Sequence, residues 1–139
     1  MNFSTKSRVV IDTNVFISGI FWRGNPGKIV DLWKKGEILV FISPSILTEF
    51  VLILERFQID RQKIGRFKKF IENKSVKILP NKKVKVCKDK KDNKFLEVAW
   101  RAKADYLITG DKKHLLSLKE FKGTKILSPR EFLRVYKKG

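Results

Sequence analysis

The sequence predicts an α/β fold, a three-layer α/β/α sandwich with a mainly parallel central sheet, and the alternation of two residue patterns leads to this prediction. Short runs of β-branched and other apolar residues alternate with longer segments of helical periodicity along the chain. Strands that are separated by helices pair in parallel, because each connection must cross over the sheet. In such sheets the ligand site lies outside the carboxyl ends of the strands, near a switch in strand order. Residues that follow the strands are therefore the first candidates for function.

The size and composition of the chain exclude several classes of protein. Its 139 residues fit one domain over residues 1–139, and 42% hydrophobic residues are enough to form a core, which excludes wholesale disorder. No apolar run approaches the ~18 residues of a membrane-spanning helix, and the polar start of the chain is too short for a secretory signal. We therefore expect a cytoplasmic protein that does not enter a membrane. The 32 basic and 14 acidic residues give a net charge of +18, which favours nucleic acid as the partner.

The first half of the chain predicts two strands and four helices. Uninterrupted apolar runs predict strands at residues 9–11 and 38–42. Helical spacing of apolar residues predicts helices at about residues 15–21 and 26–35. Ser43 and Pro44 supply an N-cap and a first-turn proline for a third helix. Asp60 can cap a fourth helix, whose outer face is strongly cationic.

The second half of the chain predicts three further strands around a lysine-rich loop. The strands are expected at residues 76–79, 106–108 and 125–127. The loop extends to Lys91, and a helix that Asp92 opens runs to about residue 104. A short helix is expected at about residues 112–116. The capping-box pattern of Ser128 and Glu131 begins the C-terminal helix.

Four acidic residues are predicted to meet at one edge of the sheet. Asp12 ends the first strand and Asp111 follows the strand at residues 106–108, so both lie at the carboxyl ends of parallel strands. Asp92 opens the helix that leads to that strand, and Glu49 lies in the second turn of the third helix, within reach of the same edge. Carboxylates that converge repel one another and raise each other's pKa unless a cation lies between them. The pattern therefore predicts a divalent metal site.

The small number of cysteine and histidine residues limits which metal ion this site can bind. The single cysteine, Cys87, cannot form an internal disulfide, and the single histidine, His114, cannot build a His-rich zinc site. We interpret His114 as a surface residue and Cys87 as a reduced, partly buried thiol. Oxygen ligands remain, and they favour Mg²⁺ or Mn²⁺ as the cofactor. An ion held by carboxylates suits phosphodiester hydrolysis, in which the metal activates a water and neutralises the leaving oxygen.

Lysines beside these acids are the predicted contacts for the phosphates of a nucleic acid. They are Lys88, Lys90, Lys91, Lys94 and Lys112. Such contacts carry no sequence information, and the affinity they provide falls steeply as salt is added. The alternative is a solvated, charged surface without a role in binding.

The order of these motifs resembles that of a known family. The segments are Val-Val-Ile-Asp-Thr-Asn at residues 9–14, Glu49 on an apolar helix that starts at Ser-Pro, Asp-Asn-Lys-Phe-Leu-Glu-Val-Ala at 92–99 and Tyr-Leu-Ile-Thr-Gly-Asp at 106–111. Together they resemble the PIN-domain ribonucleases, and more narrowly the branch of toxins from toxin–antitoxin pairs (VapC-like). The similarity covers almost the whole chain.

This resemblance implies a metal-dependent cleavage of single-stranded RNA by a water activated between carboxylates. The residues that match the acidic quartet of the family are Asp12, Glu49, Asp92 and Asp111. Asn14 and Thr109 match polar residues that orient a carboxylate or a water. The resemblance also implies an antitoxin protein as a partner and a homodimer.

Three alternatives accompany this interpretation. Asp89 rivals Asp92 as the third ligand, because Lys90 replaces the proline that usually follows this aspartate in the toxin branch. We prefer Asp92, since a helix-opening position fixes the direction of its side chain. The chain could instead be a basic RNA-binding module whose acids do no chemistry. A phosphatase or hydrolase with an aspartyl nucleophile is disfavoured, because Asn14 stands where such an enzyme has a second aspartate.

Overall fold

A six-stranded sheet forms the centre of this computed structural model, which describes residues 6–111 and 113–138. The strands are β1 (Ser7–Ile11), β2 (Ile38–Ile42), β3 (Ser75–Lys77), β4 (Tyr106–Ile108), β5 (Glu120–Phe121) and β6 (Thr124–Leu127). They lie in the order β3-β2-β1-β4-β6-β5, and all neighbours are parallel except β5 and β6. The predicted mainly parallel sheet is confirmed.

Within the described residues, six α-helices cover this sheet. They are α1 (Thr13–Phe21), α2 (Gly24–Lys34), α3 (Pro44–Arg56), α4 (Arg61–Lys74), α5 (Asn93–Ala102) and α6 (Pro129–Lys138). The connection from β1 to β2 through α1 and α2 runs in one direction along the sheet, and the connection from β3 to β4 through α5 runs back. Right-handed crossovers place connections of opposite direction on opposite faces of the sheet. The architecture is therefore the predicted α/β sandwich.

The two strands that precede the candidate acids are among the most deeply buried parts of the fold. Val9 and Val10 of β1 and Leu107 and Ile108 of β4 are 0% exposed, because helices cover the sheet on both faces. The register pairs the last residue of β1, Ile11, with the last residue of β4, Ile108, so both strands end at the same level. The chain runs from β1 out to β3 and returns to β4, which places the switch in strand order between β1 and β4. A ligand site is expected where these two strands end.

Several elements have the boundaries that the sequence predicts. The bounds of β2 and β4 are those predicted, and β1 and β6 begin two residues and one residue earlier. The predicted capping box is confirmed, since Ser128 N donates to Glu131 Oε1 at 2.9 Å and Glu131 N donates to Ser128 Oγ at 3.1 Å. The N-cap at α3 is confirmed as well, because Ile46 N donates to Ser43 Oγ at 3.3 Å.

Other boundaries differ from the prediction because of contacts between distant parts of the chain. Strand β3 is shorter and begins at Ser75, directly after α4. The indole Nε1 of Trp33 donates to the carbonyl oxygen of Lys74 at 2.7 Å, which fixes the point where α4 ends. Asp60 precedes α4 as predicted, but its side chain makes no capping hydrogen bond. The helix expected at residues 112–116 is replaced by a turn and a short 3₁₀-helix at Leu116–Leu118, and Lys112 lies outside the described residues.

One strand, β5, was absent from the sequence prediction. It forms a two-residue antiparallel hairpin with β6, and the turn residues Lys122 (φ 52°) and Gly123 (φ 88°) both lie in the left-handed region. Such a turn matches the twist of an antiparallel pair, but two residues are too short for an alternating pattern. Among the described residues, no helix combines the length and the apolar character needed to span a lipid bilayer. That residues 1–139 form one domain stays a prediction.

The close contact between α1 and α2 depends on Gly19. A Cβ atom at this position would lie 2.6 Å from Val30 Cγ2 and 2.7 Å from the carbonyl oxygen of Pro26. We expect Gly19→Ala to lower the free energy of unfolding by about 1–3 kcal/mol, because the backbone of α2 would have to move. Gly65→Ala on α4 is the control, since nothing lies within 4 Å of its Cβ, and it should raise this free energy by about 0.5–1 kcal/mol. Urea unfolding of the two variants measures the difference, and equal stabilities would contradict this packing.

Candidate functional site

The buried carboxylate of Asp12 is fixed by hydrogen bonds from both neighbouring segments. Asp12 directly follows β1, and its backbone N–H donates to the carbonyl oxygen of Ile108 at the end of β4 at 2.9 Å. Asn14 N donates to Asp12 Oδ1 at 3.1 Å, which caps α1, and Thr109 Oγ1 donates to Asp12 Oδ2 at 2.7 Å. Burial raises the pKa of Asp12, and these hydrogen bonds oppose the rise only in part. The carboxylate is therefore held rigidly at the switch point of the sheet.

Asp111 lies in the turn that follows β4, next to Asp12. Its backbone N–H donates to Thr109 Oγ1 at 3.0 Å, and its own Oδ1 accepts from the backbone N–H groups of Lys113 (3.1 Å) and His114 (3.0 Å). Burial works to raise the pKa of Asp111, but the hydrogen bonds from His114 and the contact with Asp92 outweigh it and lower the pKa. Asp111 is therefore the member of this cluster that holds its negative charge most readily.

Asp92 faces Asp111 and carries the most unusual pKa of the cluster. It is the last residue of a 3₁₀-helix at Lys90–Asp92, and its side chain does not cap α5. Its Oδ2 atom is buried and has no hydrogen-bond partner among the described residues. Burial raises the pKa of Asp92 to about 7, and the proximity of Asp111 adds to the rise. At mildly acidic pH the pair of Asp92 and Asp111 holds one proton, because the pKa of Asp92 is raised and that of Asp111 is lowered.

The side chains around Asp92 fit a divalent cation. Asp92, Asp111 and His114 each offer one ligand atom, and these atoms lie within 4.8 Å of one another. Opposite ligands of Mg²⁺, with bonds of about 2.1 Å, are about 4.2 Å apart, so a small movement lets all three share an ion. The partnerless Oδ2 atom of Asp92 would gain a ligand, and the repulsion between the two carboxylates would be relieved.

Two adjoining cavities connect the predicted acids. Asp12, Asp92 and Asp111 line one cavity of about 430 Å³. A neighbouring cavity of about 420 Å³ is lined by Asp12, Asp92, Glu49 and Asp89 among others. Asp12 is not part of the group of three potential ligands, but it faces the same space. All four acids of the predicted quartet therefore line one or both of these cavities, and Asp12 and Asp92 line both.

A comparison of this chain with known protein families bears directly on the site. The family model of the PIN domain matches residues 8–113. The chain belongs to the PIN-domain family. It is also similar to an uncharacterized protein of Methanocaldococcus jannaschii, with 39% identity over 147 aligned residues that cover 96% of this chain and 94% of the relative. PIN domains are generally nucleases that use divalent metals, and the acidic cluster described above could hold such a metal.

Glu49 of this PIN domain is neutralised by a lysine. Lys94 Nζ donates to Glu49 Oε2 at 2.5 Å and to the carbonyl oxygen of Lys91 at 2.5 Å. The side chains of Lys94 and Glu49 are only 13% and 24% exposed. Glu49 was predicted as a metal ligand and Lys94 as a contact for RNA, and in this structure each is engaged by the other. Both predictions require this ion pair to open.

The other predicted lysine contacts differ in accessibility. Lys88, Lys90 and Lys91 are exposed. Lys91 lines the cavity that Asp12, Glu49 and Asp92 also line, whereas Lys88 and Lys90 line a separate cavity that none of the four predicted acids borders. Lys112 lies outside the described residues. The backbone N–H of the predicted orienting residue Asn14 is used by Asp12, and the exposed residue borders both cavities. The roles of these residues stay predictions.

The choice between Asp89 and Asp92 is clarified by their hydrogen bonds. Asp89 Oδ1 accepts from Lys91 N at 3.0 Å, which caps the 3₁₀-helix, and the residue is exposed. Asp92 has a buried oxygen without a partner and faces Asp111. Geometry therefore favours Asp92 over Asp89 as the ligand, although the reason is its contact with Asp111 and not the capping role that the sequence suggested.

His114 is a potential metal ligand that the sequence did not indicate. It was interpreted as a surface residue, and the metal was expected to have oxygen ligands alone, but a ring nitrogen of His114 lies with Asp92 and Asp111 in the group of potential ligands. Its backbone N–H also holds the Asp111 carboxylate. The signal in the sequence is its position three residues after Asp111, since a turn after a strand brings residues at that spacing together.

Cys87 lies beside this cluster and stays protonated. Its backbone N–H donates to Asn93 Oδ1 at 2.9 Å, and its Sγ atom lies 3.7 Å from the carbonyl oxygen of His114. Burial and the nearby carboxylates, Asp92 first among them, raise the pKa of the thiol to about 11. The predicted reduced thiol is buried in the structure. It connects the loop that carries Asp92 with the turn that carries His114.

Replacing Thr109 should disturb the site without removing any acid. Thr109→Val keeps the shape of this fully buried side chain, but it leaves Asp12 Oδ2 and the Asp111 N–H without their shared hydroxyl partner. We expect the affinity for Mn²⁺, measured by titration calorimetry, to fall about 10–100-fold, and the free energy of unfolding to fall by about 1–3 kcal/mol. Thr124→Val is the control, because it also removes the hydrogen bond of a buried hydroxyl, here to the carbonyl oxygen of Ala104, and it should lower the free energy of unfolding without changing the Mn²⁺ affinity. Unchanged Mn²⁺ affinity in Thr109→Val would remove the hydroxyl from the site.

The raised pKa of Asp92 predicts how the stability of the metal-free protein depends on pH. A carboxyl group with a pKa of about 7 in the folded state and 3.8 as an ordinary aspartate binds more protons in the folded than in the unfolded chain between these values. Its contribution to stability is therefore full at low pH and is lost as the pH rises through 7. We expect the metal-free protein to lose on the order of 1 kcal/mol between pH 5 and pH 8, allowing for solvent screening of a partly exposed group.

Asp92→Asn should flatten this dependence, because the amide does not titrate. Thermal unfolding in EDTA at several pH values measures it for both proteins. Asp60→Asn, at an exposed position away from the site, is the control and should retain the slope of the parent. A parent protein that is more stable at pH 8 than at pH 5 would contradict the raised pKa of Asp92.

Proposed function

We propose that this protein is a metal-dependent endoribonuclease that cleaves single-stranded RNA, and that it is the toxin of a toxin–antitoxin pair. The observation that carries the nuclease proposal is the pair of Asp92 and Asp111 at the carboxyl edge of the sheet, with a buried carboxylate oxygen that has no partner among the described residues. Membership of the PIN-domain family supports the same chemistry. The RNA substrate and the toxin role rest on the resemblance of the motifs at residues 9–14 and 106–111.

Each polar residue of the site has a task in this reaction. Asp92, Asp111 and His114 would hold a Mg²⁺ or Mn²⁺ ion, which when bound would activate water and stabilise negative charge on the scissile phosphate. Asp12 borders the same cavity, and its raised pKa makes its carboxylate a better proton acceptor than an ordinary aspartate. Thr109 keeps Asp12 in place by donating its hydroxyl proton to Oδ2.

Lysines at the rim of the site support the choice of a polyanionic substrate. Lys88, Lys90 and Lys91 are exposed beside Asp92, in a protein of net charge +18. Their contacts with phosphates would hold the strand while the acids act on one linkage. Lys94 joins them when a phosphate replaces Glu49 as its partner, and Glu49 is then free to face the ion. The opening of this pair would couple substrate binding to completion of the acidic quartet.

The biological setting belongs to the same proposal. The toxin branch of the family pairs each nuclease with an antitoxin protein, and its members commonly form homodimers. We extend both features, together with a cytoplasmic location, to this protein on the strength of the sequence resemblance. Size-exclusion chromatography with light scattering tests the homodimer independently of the nuclease activity.

Incubation of the purified protein with labelled single-stranded RNA tests the enzymatic proposal. We expect cleavage in Mn²⁺ or Mg²⁺, none in EDTA, and a loss of roughly 100-fold or more in Asp12→Asn and Asp92→Asn, because the ion loses a carboxylate or the site loses its proton acceptor. Asp60→Asn, which is exposed and far from the site in sequence, is the matched control and should cleave normally. Cleavage in EDTA would contradict the proposal, and RNA binding without cleavage in every protein would identify a binding module instead.

A further inference from the structure

We propose that a second cavity, built around Trp100 at the opposite edge of the sheet, binds a stretch of single-stranded RNA outside the acidic site. This inference rests on the proposed function, since it assigns a further binding site for the same substrate. The cavity has a volume of about 540 Å³ and is lined by Trp100 and four cationic residues. These are Lys82, Arg101, Lys103 and Lys122.

Two lysines from distant parts of the chain lie close to the indole ring of Trp100. Lys82, in the loop before α5, has its Nζ atom 4.6 Å from the centre of the indole ring. Lys122, in the turn between β5 and β6, has its Nζ atom 4.8 Å from the same centre. Attraction between a cation and the face of the ring offsets part of the repulsion between the two ammonium groups. A concentration of positive charge is therefore fixed beside an aromatic surface.

The positive charge of the cavity exceeds its negative charge, since four cationic residues and two carboxylates line it. Neither Lys82 nor Lys122 forms an ion pair with a described residue. The two carboxylates that line the cavity belong to Glu97 and Asp105, and each accepts a hydrogen bond from a backbone N–H group. Glu97 Oε2 accepts from Val84 N at 3.0 Å, and Asp105 Oδ2 accepts from Arg8 N at 2.8 Å. An anionic ligand would thus find unpaired cations.

The combination of an aromatic ring with several cations favours single-stranded nucleic acid over other anions. Bases stack on aromatic side chains while lysine and arginine contact the phosphates, and this mode of binding does not depend on sequence. Trp100 is partly exposed and is supported at its edge by Phe121, with ring centres 6.0 Å apart and planes at 89°. The ring is therefore both accessible and held in place. A base that stacks on it would release the lysine ammonium groups to neighbouring phosphates.

Topology separates this cavity from the acidic site. Ala104 and Asp105 come just before β4 and Gly123 comes just before β6, so the cavity lies at the amino ends of the strands. The acids lie at the carboxyl ends. Helix α5 begins next to Asp92 and ends near the cavity, and its 10 residues span about 15 Å. A dinucleotide cannot occupy both places, whereas a longer strand can. The cavity should therefore increase the affinity for long RNA only.

Charge reversal at the two exposed lysines tests the proposal. The variant Lys82→Glu with Lys122→Glu is compared with Lys68→Glu with Lys69→Glu, an exposed pair on α4 that changes the net charge by the same amount. All proteins carry Asp12→Asn, and binding of a labelled RNA of about 12 nucleotides is measured by fluorescence anisotropy in EDTA. We expect the first variant to bind at least 10-fold more weakly and with a smaller salt dependence, and the α4 variant to change less than 3-fold. Equal losses in the two variants would overturn the proposal.

Tryptophan fluorescence supplies a second measurement that does not depend on charge reversal. In Trp22→Phe the remaining indoles are Trp33, which is 1% exposed, and Trp100. Stacking of a base on Trp100 should quench the emission of this protein when RNA is added, and quenching should be lost in the charge-reversed variant. Unchanged emission at saturating RNA would overturn the stacking role. Quenching by polyglutamate to the same degree as by RNA would also overturn it and would identify an acidic peptide as the ligand.

Separate measurements test RNA binding at the Trp100 cavity and cleavage at the acidic site. With Asp12 restored, cleavage of a dinucleotide should be the same in the parent and in Lys82→Glu with Lys122→Glu, because the acids are untouched. Absence of cleavage of the labelled single-stranded RNA by the parent in Mn²⁺ would overturn the nuclease proposal, while the binding measurements in EDTA still decide the role of the cavity. Loss of dinucleotide cleavage in the charge-reversed variant would show that the cavity acts on the acidic site and would overturn its role as a separate anchor.

Discussion

The site depends on the hydroxyl group of Thr109, which links the ends of the two central strands. It donates to the buried Asp12 carboxylate and accepts from the backbone N–H of Asp111. Without such donors, neighbouring carboxyl groups in a buried place would stay protonated or turn away from one another. The third carboxyl group at this point, Asp92, has its pKa raised to about 7, first by its burial and then by the neighbouring Asp111.

The distribution of charge in the molecule matches this arrangement. A protein of net charge +18 brings several acidic side chains to one edge of its sheet, and the exposed Lys88, Lys90 and Lys91 stand just before Asp92 in the chain. The long-range field attracts a polyanion, while the local field at the acids repels it unless a cation is present. Binding and chemistry are thus separated in space. The pair of Glu49 and Lys94 lies at the boundary between these two regions.

The sequence predicted the central fold because the signals there are local. The apolar runs of β2 and β4 and the capping box at Ser128 are complete within a few residues, and their bounds agree with the structure. Strand β5 could not be predicted, since two residues carry no periodicity and pairing with β6 defines it. The start of β3 depends on a hydrogen bond from Trp33, 41 residues away from its acceptor.

The candidate site shows the same division between local and distant contacts. The positions of Asp12 and Asp111 follow from the strands that precede them, so the sequence places them at one edge. The ion pair between Glu49 and Lys94 joins α3 to α5 across 45 residues, and a single sequence holds no sign of it. His114 was interpreted as a surface residue, because a single histidine cannot build a His-rich metal site. Its contact with Asp92 and Asp111 is visible in the fold.

The protonated thiol of Cys87 has a consequence for the durability of the acidic edge. A thiol with a pKa of about 11 carries almost no thiolate at neutral pH, and thiolate is the form that reacts with peroxides and captures soft ions such as Cu⁺. Burial, together with the carboxylates that would attract a hard cation, therefore keeps this sulfur in its unreactive, protonated form. We therefore expect oxidants such as peroxides to react only slowly with Cys87.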